Sequence, residues 1–236
     1  MRKLRTIEMN RLSIEEFKSA RKMPLIVVLD DVRSLHNVGS VFRTCDAFRV
    51  EAIYLCGITA TPPSNEIHKT ALGAEDSVEW KYFKTAEEAV DELHRNGYFV
   101  YSVEQAEGSM KLNQLEVGWL KEDGGSDASQ EKSMKERSTS YINHLPSEAS
   151  LPPSSFNHPT SSPSSSPIGE TLPPSSFNHP TSKYAVIFGN EVKGVHQSVI
   201  DMSDGCLEIP QFGTKHSMNV SVTAGIVIWE FAKQFI

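Results

Sequence analysis

Features of secreted, membrane-spanning or cysteine-scaffolded proteins are missing from this sequence. It has 3 cysteines, Cys45, Cys56 and Cys206, widely spaced and without a C-x-x-C pair. An odd, scattered set argues against a disulfide framework and a cysteine zinc site, and fits a reducing compartment. Long apolar runs are also missing: a stretch such as Leu25 to Leu29 is far too short to span a bilayer, and the basic segment Met1 to Asn10 has no apolar signal core behind it. The expectation is a soluble, cytoplasmic protein. Excess positive charge is absent as well. With 23 Lys+Arg against 30 Asp+Glu, the formal charge of −7 leaves only local basic patches to meet nucleic acid. The loops match neither the dinucleotide fingerprint G-x-G-x-x-G nor the phosphate loop. Without a G-x-S-x-G elbow, His216 beside Ser217 does not make a hydrolase.

The 236 residues hold one composition break. Between Leu145 and Ser182, 9 Pro and 12 Ser fall in 38 positions, and LPPSSFNHPTS occurs at Leu151 to Ser161 and again at Leu172 to Ser182. Such a stretch resists helix, breaks sheet ladders and buries little apolar surface, and its repeat is too short and polar to stack as a solenoid. With its polar lead-in, it predicts a flexible insertion at 122–183. A partner-docking role for this segment is the rival reading. The remaining domain comprises 25–121 and 184–236, a normal single-domain length, preceded by an arm at 1–24.

Within that domain two patterns alternate. Short apolar runs at Leu25 to Asp30, Ala52 to Cys56, Tyr98 to Val103, Tyr184 to Gly189 and Cys206 to Pro210 predict buried strands. Val38, Val41, Phe42, Cys45 and Phe48 recur at helical spacing, as do Ala86, Ala89, Val90 and Leu93, and a last helix is expected from about Met218 nearly to Ile236. The alternation predicts an α/β fold with a mostly parallel sheet covered by helices on both faces. In such folds ligands gather at the carboxyl ends of strands, so the loops after Asp30, Val103, Gly189 and Pro210 are where chemistry is sought. Asn37 stands where it would cap the helix that follows the first strand, and Ser217 and Asn219 stand at the opening of the last helix.

Three of these loops carry spaced motifs: N-x-G-x-x-x-R as Asn37, Gly39 and Arg43; F-G-N-E-x-x-G as Phe188 to Glu191 with Gly194; and I-P-x-x-G-x-x-x-S-[LM]-N-V-S as Ile209, Pro210, Gly213, Ser217, Met218, Asn219, Val220 and Ser221. In this order, each after a predicted strand, they resemble the SpoU/TrmH branch of the SPOUT RNA methyltransferases. The similarity covers about Leu25 to Phe231 apart from the insertion. Met218 stands where the family usually has Leu, a volume-conserving difference.

The resemblance implies a C-terminal deep trefoil knot, which the general rarity of threaded chains would otherwise argue against. It further implies S-adenosylmethionine bound near Val103, Gly189, Ile209, Gly213 and Met218, and a homodimer with active sites at its interface. The implied reaction is 2′-O-methylation of RNA, tRNA ahead of rRNA, with a non-catalytic RNA-binding or ribosome-assembly factor as the rival. The implied catalytic set is Arg43, Asn37, Glu191, Ser217 and Asn219. A sulfonium methyl is already activated, so no metal is expected. Arg43, always protonated, suits stabilisation of a developing alkoxide rather than proton removal. The basic N-terminal residues, above all Arg2, Lys3, Arg5 and Arg11, together with His36, are the candidates for RNA contact.

Overall fold

Tyr184 to Phe188 and Leu25 to Leu29 are uniformly apolar because both faces of their strands are covered. In the computed structural model, which describes residues 1–5, 8, 11–119, 182–215 and 217–236, they form the middle of a sheet. The expected Ser/Pro insertion lies outside the described residues except for Ser182 and Lys183, as does His216. The chain begins with α1 (Ile14–Ser19), β1 (Met23–Asp30), α2 (Leu35–Ala47) and β2 (Val50–Cys56). It continues through α3 (Asn65–Ala71), α4 (Ala74–Ser77), β3 (Glu79–Phe83), α5 (Ala86–Arg95), β4 (Phe99–Val103) and β5 (Met110–Lys111). It closes with β6 (Tyr184–Phe188), α6 (Gln197–Met202), β7 (Gly205–Glu208) and α7 (Val220–Phe235).

The strand order is β3-β2-β1-β6-β4-β7-β5, and every recorded pairing is parallel. β6 sits between β1 and β4, with Val28 opposite Ile187 on one side and Ser102 opposite Ile187 on the other. The period-2 pleat divides β1 between two cores. Met23, Leu25, Val27 and Leu29 face α2 and α7, packing with Val38, Phe42, Val227 and Phe231. Ile26 and Val28 face α5 and α6, packing with Ala89, Leu93 and Val199. The parallel α/β expectation therefore holds. Among the described residues, no helix is long and apolar enough to cross a membrane.

Local chemistry moves several expected boundaries. β1 begins at Met23, inside the expected arm, and Phe17 of α1 is buried against the core. Lys22 donates to the Phe17 carbonyl and Arg21 lies 5.2 Å over the Phe235 ring, so these two basic residues pack on the domain. The fifth predicted strand ends at Glu208, before Ile209 and Pro210. Asn37 is not the helix cap. Ser34 caps α2, its hydroxyl accepting from the Asn37 N–H at 3.3 Å, which leaves the Asn37 side chain for other partners. Two strands escape the sequence pattern. β3 has four exposed residues followed by one buried, as suits a sheet edge with a lysine on it, and β5 is two residues long.

Candidate functional site

Because the strands are parallel, β1, β4, β6 and β7 deliver their following loops to one edge of the sheet. The loop after β6 is built first from its own residues. Asn190 and Gly194 exchange backbone hydrogen bonds at 3.1 and 2.8 Å, and the Asn190 carboxamide oxygen accepts from the N–H groups of Val192 and Lys193 at 2.9 and 3.2 Å. Gly194 has φ +70°, the left-handed region where a side chain is strained, and a Cβ there would stand 2.1 Å from Glu104 Oε2. A Cβ on Gly189 would lie 2.1 Å from the Gly194 carbonyl carbon. The close approach at Gly189 is thus between two stretches of this chain's own backbone. At Gly213 no neighbour comes within 4 Å of where a Cβ would be.

Side chains then tie this loop to its neighbours. Asn190 Nδ2 donates to the Asp31 carbonyl at 2.8 Å. The Glu191 carboxylate accepts from the backbone N–H groups of Arg33 and Ser34, both at 3.1 Å, and from Asn37 Nδ2 at 3.2 Å. Asn37 Oδ1 in turn accepts from Asn219 Nδ2 at 3.1 Å, and Asn219 caps α7 by accepting from the Ser221 N–H at 2.9 Å. Desolvation alone would raise the Glu191 pKa, but the N–H donors outweigh it and hold the carboxyl below its ordinary value. Residues 37, 191 and 219, far apart in sequence, thus form one continuous hydrogen-bonded chain across three loops.

Beside it opens a cavity of about 880 Å³. Val103, Gly189, Ile209 and Met218 line it, with Ser217 and Glu191 also on its wall; Gly213 is not among its lining residues. Glu104, directly after β4, was not singled out from the sequence. Its Oε2 accepts from the Val195 N–H at 3.1 Å and braces the far side of the glycine loop. The strand-end rule had marked this loop, but nothing local distinguishes Glu104 from other surface carboxylates.

Arg43 lies elsewhere. It projects exposed from α2 into a second groove of about 500 Å³, shared with Ser40, Thr44, Phe48, Lys69 and Thr70. The Arg43 guanidinium makes no hydrogen bond or ion pair with the side chain or backbone of another described residue, although its backbone belongs to helix α2. His36, near the same helix start, pairs with Glu66 at 2.9 Å. In the arm, both oxygens of Glu8 engage the Arg2 guanidinium, at 2.9 and 3.0 Å, while Lys3, Arg5 and Arg11 are exposed.

Two of the loops that line the cavity carry the second and third motifs, and the model of the SpoU rRNA Methylase family matches residues 24–123 and 160–229. The chain belongs to the SpoU rRNA methylase family. Its match starts at the end of the basic arm and breaks across much of the Ser/Pro segment. The tRNA (guanosine(18)-2′-O)-methyltransferase of Thermus thermophilus is 23% identical over 96% of this chain and 84% of its own length. The 23S rRNA (guanosine-2′-O-)-methyltransferase RlmB of Neisseria meningitidis is 24% identical over 95% of this chain and 65% of its own. Among solved structures, the SpoU family match is accompanied by likeness in fold. The Aquifex aeolicus TrmH/SpoU tRNA modifying enzyme superposes with a TM-score of 0.60 at 18% identity, over 94% of this chain and 80% of that one. The AviRb methyltransferase of Streptomyces viridochromogenes, solved with AdoMet, gives 0.57 at 15% identity, over 92% and 60%.

Proposed function

We propose that this member of the SpoU family is an S-adenosylmethionine-dependent RNA 2′-O-methyltransferase. The observation that carries the reading is that the second and third motif loops line one large cavity at the carboxyl edge of the sheet, with Asn37 of the first motif hydrogen-bonded to Glu191 on its wall. Its volume of about 880 Å³ suits a ligand of nucleoside size, and Val103, Leu207 and Ile209 give it an apolar wall beside polar backbone. The residues fit the cofactor: Val103, Gly189, Ile209 and Met218 would hold it, with Gly213 on the adjoining loop. When bound, the cofactor supplies an already activated sulfonium methyl.

The chain's own residues then position the acceptor. Arg43 stabilises the negative charge that develops on the ribose 2′-oxygen, and the proton leaves to an RNA phosphate or water. Asn37, held by Glu191, Asn219, held by Asn37, and Ser217 orient the ribose and the neighbouring phosphate. Since Arg43 lines a different groove from the cavity of its own chain, we assign it to the cavity of a second copy.

The surface supports that homodimer. Val222, Ile226 and Trp229 repeat at i, i+4 and i+7 along α7 with exposures of 53%, 38% and 48%, an apolar stripe on an otherwise well-covered helix. The Trp229 ring packs tilted at 52° with its centroid 5.7 Å from that of Phe48, which also lines the Arg43 groove, so the stripe and the arginine share one surface. A trefoil knot formed by the loops after β6 and β7 is the proposed threading, and the return of β6 between β1 and β4 is in keeping with it. The arm 1–24, through Arg2, Lys3, Arg5 and Arg11, and His36 would meet RNA phosphates. The segment 122–183 would be an insertion carried between β5 and β6. The proposed substrate is tRNA, the RNA class that the name of the Thermus relative carries, and the proposed location is the cytoplasm.

The test is transfer of labelled methyl from S-adenosylmethionine to tRNA and, separately, rRNA from a host lacking this gene. Label in tRNA that protects the adjoining phosphodiester from alkaline cleavage is expected. Label in rRNA alone would overturn the substrate, and cofactor binding without transfer to either pool would overturn the enzyme reading.

A further inference from the structure

Behind the glycine loop, on the opposite face of β1 from α2, lies a cluster of charged groups that methyl transfer does not use. Asp30, the last residue of β1, has only 5% of its side chain exposed, and its Oδ2 is buried with no hydrogen-bond donor among the described residues. A carboxylate oxygen so placed is costly unless a donor or cation reaches it. The nearest basic group is His196 Nδ1 at 3.9 Å, too far for a hydrogen bond. Asp31 adds a second carboxylate; its Oδ1 accepts from the Ile58 N–H at 2.9 Å, leaving its other oxygen available. One ligand atom from each of Asp30, Asp31 and His196 falls within 4.8 Å of the others.

We infer that Asp30, Asp31 and His196 form a binding site for a first-row divalent cation. Two carboxylates and an imidazole are a donor set suited to zinc or manganese. Ions of this kind sit about 2.0 to 2.2 Å from such ligands, so two donors on one ion stand up to roughly 4 Å apart. The 3.9 Å between Asp30 and His196 already meets this. The His196 side chain, 43% exposed, has room to turn and gives the ion a path from solvent, whose waters complete the coordination.

Electrostatics points the same way. Asp31 and Glu87 add like charge around the buried Asp30 carboxylate, offset only by His196. A bound cation reverses that balance. Glu87 is itself engaged, accepting from the Ser198 hydroxyl at 2.6 Å. The ion would join the loop after β1 to the loop after β6, which at present share the Asn190 to Asp31 hydrogen bond. Its role is a staple behind the Glu191 network, separate from the methyl-transfer step, and the inference does not depend on that reaction.

The full-length chain, freed of metal with chelator and desalted, is titrated with zinc chloride and with manganese chloride by calorimetry, with thermal melting in parallel. One ion bound per chain and a raised melting temperature are expected. Asp30→Asn, near-isosteric, and His196→Ala, a partly exposed change that spares the core, are each expected to weaken binding at least tenfold. His94→Ala, at a separate histidine beside Asp204, is expected to leave binding unchanged. Absence of binding at millimolar metal would overturn the inference. So would binding that survives both substitutions, since that would place the ion on other histidines.

Discussion

The rim of the large cavity and the Arg43 groove differ in how far their polar groups are already held. On the rim, Glu191, Asn37 and Asn219 are fixed by one another and by backbone N–H groups from the start of α2. Their geometry is set by folding. In the groove, the Arg43 guanidinium stands exposed and without a hydrogen bond to another described residue, between α2 and α3. A half-site organised by its own loops, beside a groove whose arginine is left unengaged by its own chain, is consistent with the active centre proposed above to be shared between two copies. Preorganisation lies where loops of one chain meet, and the unpaired cation lies where RNA and a second copy would arrive.

The sharpest way to break this contrast is to spoil the rim's scaffold. Gly189→Ala places a Cβ 2.1 Å from the Gly194 carbonyl carbon, and backbone there has no rotamer by which to yield. A loss of about 3 kcal/mol or more, in the range of severe local strain, and failure of cofactor binding are expected from urea unfolding and calorimetry. Arg43→Ala should do the reverse. Methyl transfer is expected to fall by about 100-fold or more, as for loss of a charge-stabilising donor, while stability stays within about 0.5 kcal/mol. A matched fall in stability would show that Arg43 is held by its own chain after all.

A charged residue in the apolar stripe tests whether the groove depends on a second copy. Ile226→Glu is expected to shift the chain from dimer to monomer in sedimentation and to abolish transfer with S-adenosylmethionine affinity retained. Unchanged mass and activity would remove α7 from the interface. Mixing inactive Arg43→Ala chains with inactive Gly189→Ala chains sharpens the same point, because a hybrid dimer regains one intact centre only if the two residues act across chains.

The smallest effect is expected at Glu191. Its carboxyl is held below the ordinary value, so the stability it contributes is present above about pH 4.3, the unfolded value, and is lost as pH falls through the lower folded one. Glu191→Gln should cost about 1 kcal/mol at neutral pH, discounted for its exposure, with the gap from the parent protein closing in acid. A constant gap across pH in chemical denaturation would assign the cost to shape instead of charge.

Much of this was legible in the residues. The uniformly apolar strands announced a buried parallel sheet, since only a strand covered on both faces lacks polar alternation. The helical spacing of Val38, Val41 and Phe42 marked the face of α2 that packs on β1. Edge strand β3 was hidden because four of its five residues face solvent and follow no burial period. The spaced motifs marked Asn37, Glu191 and Asn219 as a set, but Asn37 read as a helix cap because its neighbour Ser34 competes for the same role and sequence does not rank them.

What the sequence determined alone is therefore whatever depends on spacing along the chain: the periods of strands and helices, the loops that carry polar motifs, and the family. Contacts between distant segments were decided only by the tertiary structure. Glu191 meets Asn37 across 154 positions and Asn219 meets Asn37 across 182. Parallel pairing brings those loops to one sheet edge, and the twist of helix α2 directs Arg43 away from them, because six residues place positions 37 and 43 roughly 120° apart around its axis. Gly189 likewise shows its reason only in space. Its missing side chain leaves room for Gly194, a steric demand that no local property of either residue announces.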